Sequence, residues 1–265
     1  MTAPTTERLG WVLHESGNAE AEHAVLLLPG ALATEAFYDD LLAEPAIAAA
    51  SIRFVAAAAL PGFGGTPALD DVSMENYAKT AGALAAELGC DVVVGHSLGG
   101  NVAIEMVGSG VFSGPVVLLS PSFSREDESK FPRVLNSLST VLGHLPYSLM
   151  LKLVGPAMKN SLPPHRRDAL IGELKKNDPH FLRRQTSEYL KYLDHAGSLA
   201  QRLCDSGVPA WVVFGDHDEI GLTAGERDLL ESCSSTTLVT IGDAGHFALN
   251  EKPAETAEIL LDALK

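Results

Sequence analysis

One stretch of the chain has the residue types and spacing of a covalent catalyst: Val92-Val93-Val94-Gly95-His96-Ser97-Leu98-Gly99-Gly100. A short β-branched run leads into Gly95-x-Ser97-x-Gly99, and a helix-type pattern, Leu98–Val107, follows directly. A serine at the tip of such a strand-to-helix turn is held in a strained backbone conformation. The residues two before and two after it must be tiny, because any side chain there would strike the turn. The turn also aims the Leu98 backbone N–H, with the helix N-terminus behind it, at an oxygen that gains negative charge during acyl transfer. Ser97 is therefore predicted to be a nucleophile and Leu98 N–H one donor of an oxyanion hole.

A serine hydroxyl needs a base within hydrogen-bond reach, and the base needs an acid to orient it. Among nine histidines, His246 is the candidate base. It lies on a glycine-bearing loop, Gly242-Asp243-Ala244-Gly245-His246, between the last strand pattern and the terminal helix pattern. His96 adjoins Ser97 on the chain, so its ring should point away from the hydroxyl. For the acid, Asp216 and Asp218 both follow the strand pattern Ala210–Phe214, and Asp243 is a third option. Adjacent residues of one loop cannot easily converge on an ion, so Asp216-His217-Asp218 is not read as a metal site.

These groups come together only if the elements carrying them end at one rim. Short apolar runs alternate with helix-length amphipathic stretches, which predicts a mostly parallel sheet covered by helices on both faces. The strand candidates are Gly10–His14, His23–Leu28, Ile52–Ala58, Asp91–Val94, Pro115–Leu119, Ala210–Phe214 and Thr237–Ile241. Loops after parallel strands gather at one rim of the sheet, which would bring Ser97, the Asp216–Asp218 loop and His246 within reach of each other. Ser73 reads as the N-cap of a helix to about Leu88 with Gly89 as its stop, and Pro253 opens a terminal helix. From Pro121 to Gly207 no strand pattern occurs. Phe131–Leu142, Ser148–Val154, His165–Asn177 and Pro179–Asp194 read as helices there. The division expected is a core of residues 1–120 and 208–265 with a helical insertion at 121–207.

In these motifs the sequence resembles the α/β-hydrolase family, over nearly the whole chain. Gly95-His96-Ser97-Leu98-Gly99-Gly100 resembles its nucleophile elbow, Gly215-Asp216-His217-Asp218 its acid loop, and Gly245-His246-Phe247 its histidine loop. The resemblance implies a Ser97, Asp218, His246 triad, since the family's acid stands three residues after the glycine. It also implies that 121–207 is a cap, and that Leu28-Pro29-Gly30-Ala31-Leu32 supplies a second oxyanion donor, Ala31 N–H or otherwise Leu32 N–H. Pro29 departs from the family's usual histidine, and Ala59 stands where relatives often carry aspartate. The reaction implied is hydrolysis of a carboxylic ester, lactone or thioester with no cofactor and no metal. The same triad could instead serve C–C bond hydrolysis, cofactor-free perhydrolysis or lyase chemistry, or the fold could act as a ligand-binding module without turnover.

Composition sets the remaining bounds. The chain has 265 residues, 46% of them hydrophobic, and a formal charge of −15. It can bury one large core, and its acidity argues against nucleic acid as a partner. No apolar run approaches the roughly 20 residues of a membrane span. The odd, dispersed cysteines Cys90, Cys204 and Cys233, with no CxxC, suit a reducing cytoplasm. The expected partner is a small molecule with an apolar acyl or alcohol group, met by side chains such as Phe131, Leu138, Leu149, Leu153, Phe181 and Tyr189, most of which should be core packing. Residues 121–207 hold 13 basic and 9 acidic residues, and the remainder holds 6 and 25. The basic pairs Arg166-Arg167, Lys175-Lys176 and Arg183-Arg184 read either as a solvated face drawn to the acidic body or as a lure for an anionic substrate.

Overall fold

The computed structural model describes residues 5–128, 130–159 and 161–265. Its centre is an eight-stranded sheet: β1 (Thr5–Arg8), β2 (Trp11–Gly17), β3 (His23–Leu28), β4 (Ile52–Ala57), β5 (Val92–His96), β6 (Val116–Leu119), β7 (Ala210–Gly215) and β8 (Thr236–Ile241). The spatial order is β1-β2-β4-β3-β5-β6-β7-β8. β1 and β2 are antiparallel to their neighbours, and the rest of the sheet is parallel. All seven expected strands occur, with ends that differ by at most three residues and with β3 matching at both. β1 is the addition. It is polar and largely exposed, and it pairs with β2 through Leu9-Gly10, both at positive φ, 51° and 79°. That is a two-residue hairpin turn without the usual Asn-Gly or Asp-Gly signal.

The central strands are apolar on both faces because helices cover both. Leu26, Leu28 and Val93 point into one layer, packed by α3 (Met74–Leu88), α4 (Leu98–Gly108) and α9 (Leu199–Ser206). Val25, Leu27, Val92 and Val94 point into the other, with α1 (Asp39–Leu42), α2 (Pro45–Ala49), α11 (Ala248–Glu251) and α12 (Pro253–Asp262). This two-residue alternation across a doubly covered sheet is what the unbroken Val/Leu runs require. Removing one such side chain, Leu27→Ala, would cost about 2–5 kcal/mol. α3 starts on Ser73, whose hydroxyl accepts from Asn76 N, and stops at Gly89 with φ 64°.

Among the described residues between β6 and β7 the regular elements are helices: α5 (Lys130–Leu142), α6 (Leu145–Ala157), α7 (Arg167–Leu174), α8 (Pro179–His195) and α9. α9 packs on α4 and on α10 (Ala224–Ser232). Tyr189 Oη on α8 donates to Glu128, just ahead of α5, at 2.7 Å, and α8 is tied to α4 by Tyr192 Oη, which donates to Glu105 at 3.0 Å. Arg202 closes the second contact with two bonds to Glu105, at 2.7 and 2.9 Å. Among the described residues no helix is long and apolar enough to cross a membrane.

Candidate active site

The strand order reverses at β3, since β4 lies on one side of it and β5 on the other. The loops after β3 and β5 therefore part, and leave a crevice at the carboxyl ends of these strands. Ser97 stands at this point. Its φ of 51° and ψ of −118° hold it in a region that side-chain-bearing residues rarely enter. Neighbouring backbone fixes the turn. Ser97 N donates to Leu119 O at 2.8 Å. A Cβ on Gly95 would lie 2.3 Å from Gly99 O, and one on Gly99 would lie 2.1 Å from Leu28 O. Both glycines are thus steric requirements of the turn.

The loop after β7 brings Asp218 to His246, on the loop after β8. His246 Nδ1 lies 3.1 and 3.3 Å from the two Asp218 carboxylate oxygens. The Asp218 side chain is 1% exposed and that of His246 24%, so the pair is shielded on the acid side and open on the imidazole side. Burial raises the Asp218 carboxyl, but the hydrogen bond and charge of His246 and the hydroxyl of Ser120 outweigh it, and the net shift is downward. Ile220 N also donates to Asp218, at 2.9 Å. The carboxylate is therefore held ionised, and it can accept from His246 Nδ1–H, the tautomer in which Nε2 carries the ring's lone pair. No hydrogen bond joins Ser97 Oγ to His246 Nε2 among the described residues. In free enzymes such contacts are often long and tighten on substrate binding.

Among the described residues neither rival acid bonds to His246. Asp216 is 40% exposed at its side chain and accepts from Ala244 N at 3.1 Å, which clamps the acid loop to the histidine loop. Asp243 occupies a left-handed turn at φ 52°. Among the described residues no three metal-ligating side chains converge.

His96 turns away from Ser97 and lies beneath the site. Its Nε2 donates to His246 O at 2.9 Å, its ring centroid is 4.9 Å from that of His246, and Nδ1 is buried with no partner among the described residues. Burial, with the neighbouring His246 ring adding to it, lowers its pKa to about 3. His96 is therefore a neutral brace for the His246 backbone.

The loop after β3 passes close to the serine. A Cβ on Gly30 would come within 3.1 Å of Ser97 Cβ and 2.9 Å of His96 Nδ1. Neither Ala31 N nor Leu98 N donates to a protein acceptor among the described hydrogen bonds, so both amides are available to a ligand oxygen. Leu32 is strained at φ 66° and its carbonyl is held by Asn177 Nδ2 at 2.8 Å. Asn177 is 5% exposed, donates also to Leu174 O at 2.9 Å, and accepts from Gly64 N at 2.9 Å. One buried amide thus binds the α7–α8 connection, the post-β3 loop and the glycine loop after β4. Sequence reading missed Asn177 and Ser120. Their only local marks are the Asp178-Pro179 helix start beside one and the strand end beside the other.

The helical region also meets the body through Thr34 Oγ1, which donates to Glu173 at 3.0 Å, and Arg166, which donates to Asp39 at 2.7 Å. Lys176 pairs with Glu173. Phe181 packs edge-on against Phe63, with centroids 5.0 Å apart. Of the side chains considered for a substrate pocket, Phe181 and Tyr189 are buried, whereas Phe131, Leu138, Leu149 and Leu153 are exposed. A cavity of about 820 Å³, lined by Asn18, Asp39, Ile47 and Phe54 among others, includes none of Ser97, Asp218 and His246.

A mainly parallel sheet with its reversal at β3, a serine elbow after β5 and an acid–histidine pair after the last two strands defines an α/β-hydrolase fold. The chain belongs to the alpha/beta hydrolase family, whose model matches residues 25–259. Among curated proteins none matches the chain in sequence. Similar solved structures include an esterase from Exiguobacterium antarcticum, with TM-score 0.76 and 15% identity over 99% of this chain and 98% of that one. Another is Cfl2 from Burkholderia cenocepacia, with TM-score 0.74 and 21% identity over 99% and 95%. The N-acyl homoserine lactonase AidH, complexed with N-butanoyl homoserine, has TM-score 0.74 and 19% identity over 100% and 96%.

Proposed function

We propose that the protein is a serine hydrolase that cleaves a carboxylic ester, lactone or thioester through an acyl-enzyme. The observation that carries this is the strained Ser97 at the crevice together with His246 held by a buried Asp218 at 3.1 Å. In this reading Ser97 Oγ attacks the carbonyl carbon while His246 Nε2 takes its proton. The oxyanion accepts hydrogen bonds from Ala31 N–H and Leu98 N–H. Asp218 orients the imidazole and stabilises its positive charge as it forms. His246 returns the proton to the leaving alcohol or thiol, and a water activated by the same imidazole resolves the acyl-enzyme. The chemistry calls for no cofactor and no metal.

Residues 121–207 serve as a cap over the core formed by 1–120 and 208–265, and the substrate enters beneath it with an apolar acyl or alcohol group. An esterase and a lactonase among the similar folds support carbonyl–oxygen cleavage as the first reaction to assay. The test is a panel of p-nitrophenyl esters from acetyl to dodecanoyl, with matching thioesters, run on the wild type and Ser97→Ala. The expected result is turnover of part of the panel, lost by at least about a thousandfold in the variant. Equal turnover by both would overturn the reading.

A further inference from the structure

The helical region carries a surface that the catalytic reading does not use. Of ten large hydrophobic side chains left exposed among the described residues, eight lie between Phe131 and Leu153, on α5 and α6. On α5, Phe131, Val134, Leu138 and Val141 recur at three- and four-residue spacing, and Val141 is 85% exposed. On α6, Leu145, Leu149 and Leu153 recur every four residues, each more than half exposed. These spacings place each set in a row along one helix face. The two helices are joined by Gly143-His144 and pack on one another. A concentration of exposed apolar side chains like this marks an interaction site.

Charge selects the partner. From Lys130 to Arg167 the sequence contains no Asp or Glu, in a chain that has 34 of them. Lys130, Lys152 and Lys159 on this stretch are exposed and pair with no carboxylate among the described residues. The rest of the molecule outside 121–207 holds 25 acidic and 6 basic residues, so an anionic surface repels the body and favours the helical region, where the α5–α6 face joins apolar rows to carboxylate-free charge. A second copy docking the same face would set these lysines against their own counterparts. An apolar helix face with a cationic border matches instead a bilayer interface rich in anionic headgroups.

We propose that the α5–α6 face docks on an anionic phospholipid membrane surface. Its apolar rows enter the headgroup boundary, and Lys130, Lys152 and Lys159 lie at the lipid phosphates. The attachment is peripheral.

The test is co-sedimentation of the full chain with phosphatidylcholine vesicles and with vesicles of phosphatidylcholine and phosphatidylglycerol at 7:3, at low and high salt. Binding to the anionic vesicles is expected to exceed that to the neutral ones by tenfold or more and to fall with salt. Lys152→Ala with Lys159→Ala should weaken it about 25-fold, from about fivefold per lysine. Leu149→Ser with Leu153→Ser should weaken it at least about tenfold. Melting temperature should remain unchanged in both double variants, because all four positions are exposed. No binding to anionic vesicles, or binding that both double variants retain in full, would overturn the proposal. So would a dimer in sedimentation velocity that the leucine double variant dissociates, since the face would then be filled by a second copy.

Discussion

His96 should make the protein lose stability in acid, through a route that can be isolated by one substitution. In the folded chain its ring is 2% exposed and its pKa is lowered to about 3. In the unfolded chain an ordinary imidazole titrates near about 6.5. Between these values the unfolded state binds a proton that the folded state does not. The contribution is therefore complete above about pH 6.5 and is lost as pH falls toward 3, by up to about 1.4 kcal/mol for each pH unit. Taken from pH 7.0 to 4.5 the loss is about 3 kcal/mol, a large share of the roughly 5–15 kcal/mol that holds a domain folded. His96→Gln keeps an N–H donor for His246 O and does not titrate. Urea denaturation of both proteins at the two pH values gives a double difference in which the carboxylates common to both, including the depressed Asp218, cancel. Wild type should lose about 3 kcal/mol more than the variant. Equal losses would show that His96 accepts a proton inside the fold, and the account of a neutral buried brace would fail.

Other consequences can be checked individually. Asp218→Asn should lower kcat by about 10³–10⁴-fold, because an amide cannot hold the imidazole in the working tautomer. Asp216→Asn, at a carboxylate that accepts from Ala244 N and lies 3.7 Å from His217 Nδ1, should lower it less than about tenfold, and steady-state kinetics on one ester separates the two. Gly99→Ala should abolish folding or cost several kcal/mol, since its Cβ would lie 2.1 Å from Leu28 O. Gly89→Ala meets nothing within 4 Å and should cost only about 1–2 kcal/mol from left-handed strain; thermal melts report both. Asn177→Ala should cost about 1–3 kcal/mol by leaving buried backbone groups unpaired, and should lower kcat more than it raises KM because the Leu32 carbonyl loses its anchor.

The legible parts were those written in short-range pattern. The Val/Leu runs of β3, β5 and β6 demand burial on two faces, and the strand–Gly-x-Ser-x-Gly–helix string can satisfy its sterics in only one kind of turn. The order of elements after β7 and β8 then put an acid loop and a histidine loop on one rim. What stayed hidden depends on contacts distant in the chain. Asn177 reaches Leu32 across 145 residues, and no local pattern distinguishes it from a surface asparagine near a helix start. Ser120 matters through Asp218, 98 positions later in the sequence. β1 was missed because an edge strand with one paired side needs little apolar character and its Leu9-Gly10 turn is atypical. The residue pattern predicts helices over Phe131–Leu142 and Ser148–Val154, but it does not tell that Phe131 and Leu138 on α5, and Leu149 and Leu153 on α6, face solvent rather than a pocket.

In the proposed reaction Ser97 is a nucleophile activated by His246. The most direct measurement is mass spectrometry of the folded protein after brief exposure to a fluorophosphonate, with peptide mapping of the adduct. One adduct per chain on the Ser97 peptide is expected, absent from Ser97→Ala and formed far more slowly by His246→Ala. No adduct on the folded wild type, or an adduct on another residue that Ser97→Ala retains, would contradict the account.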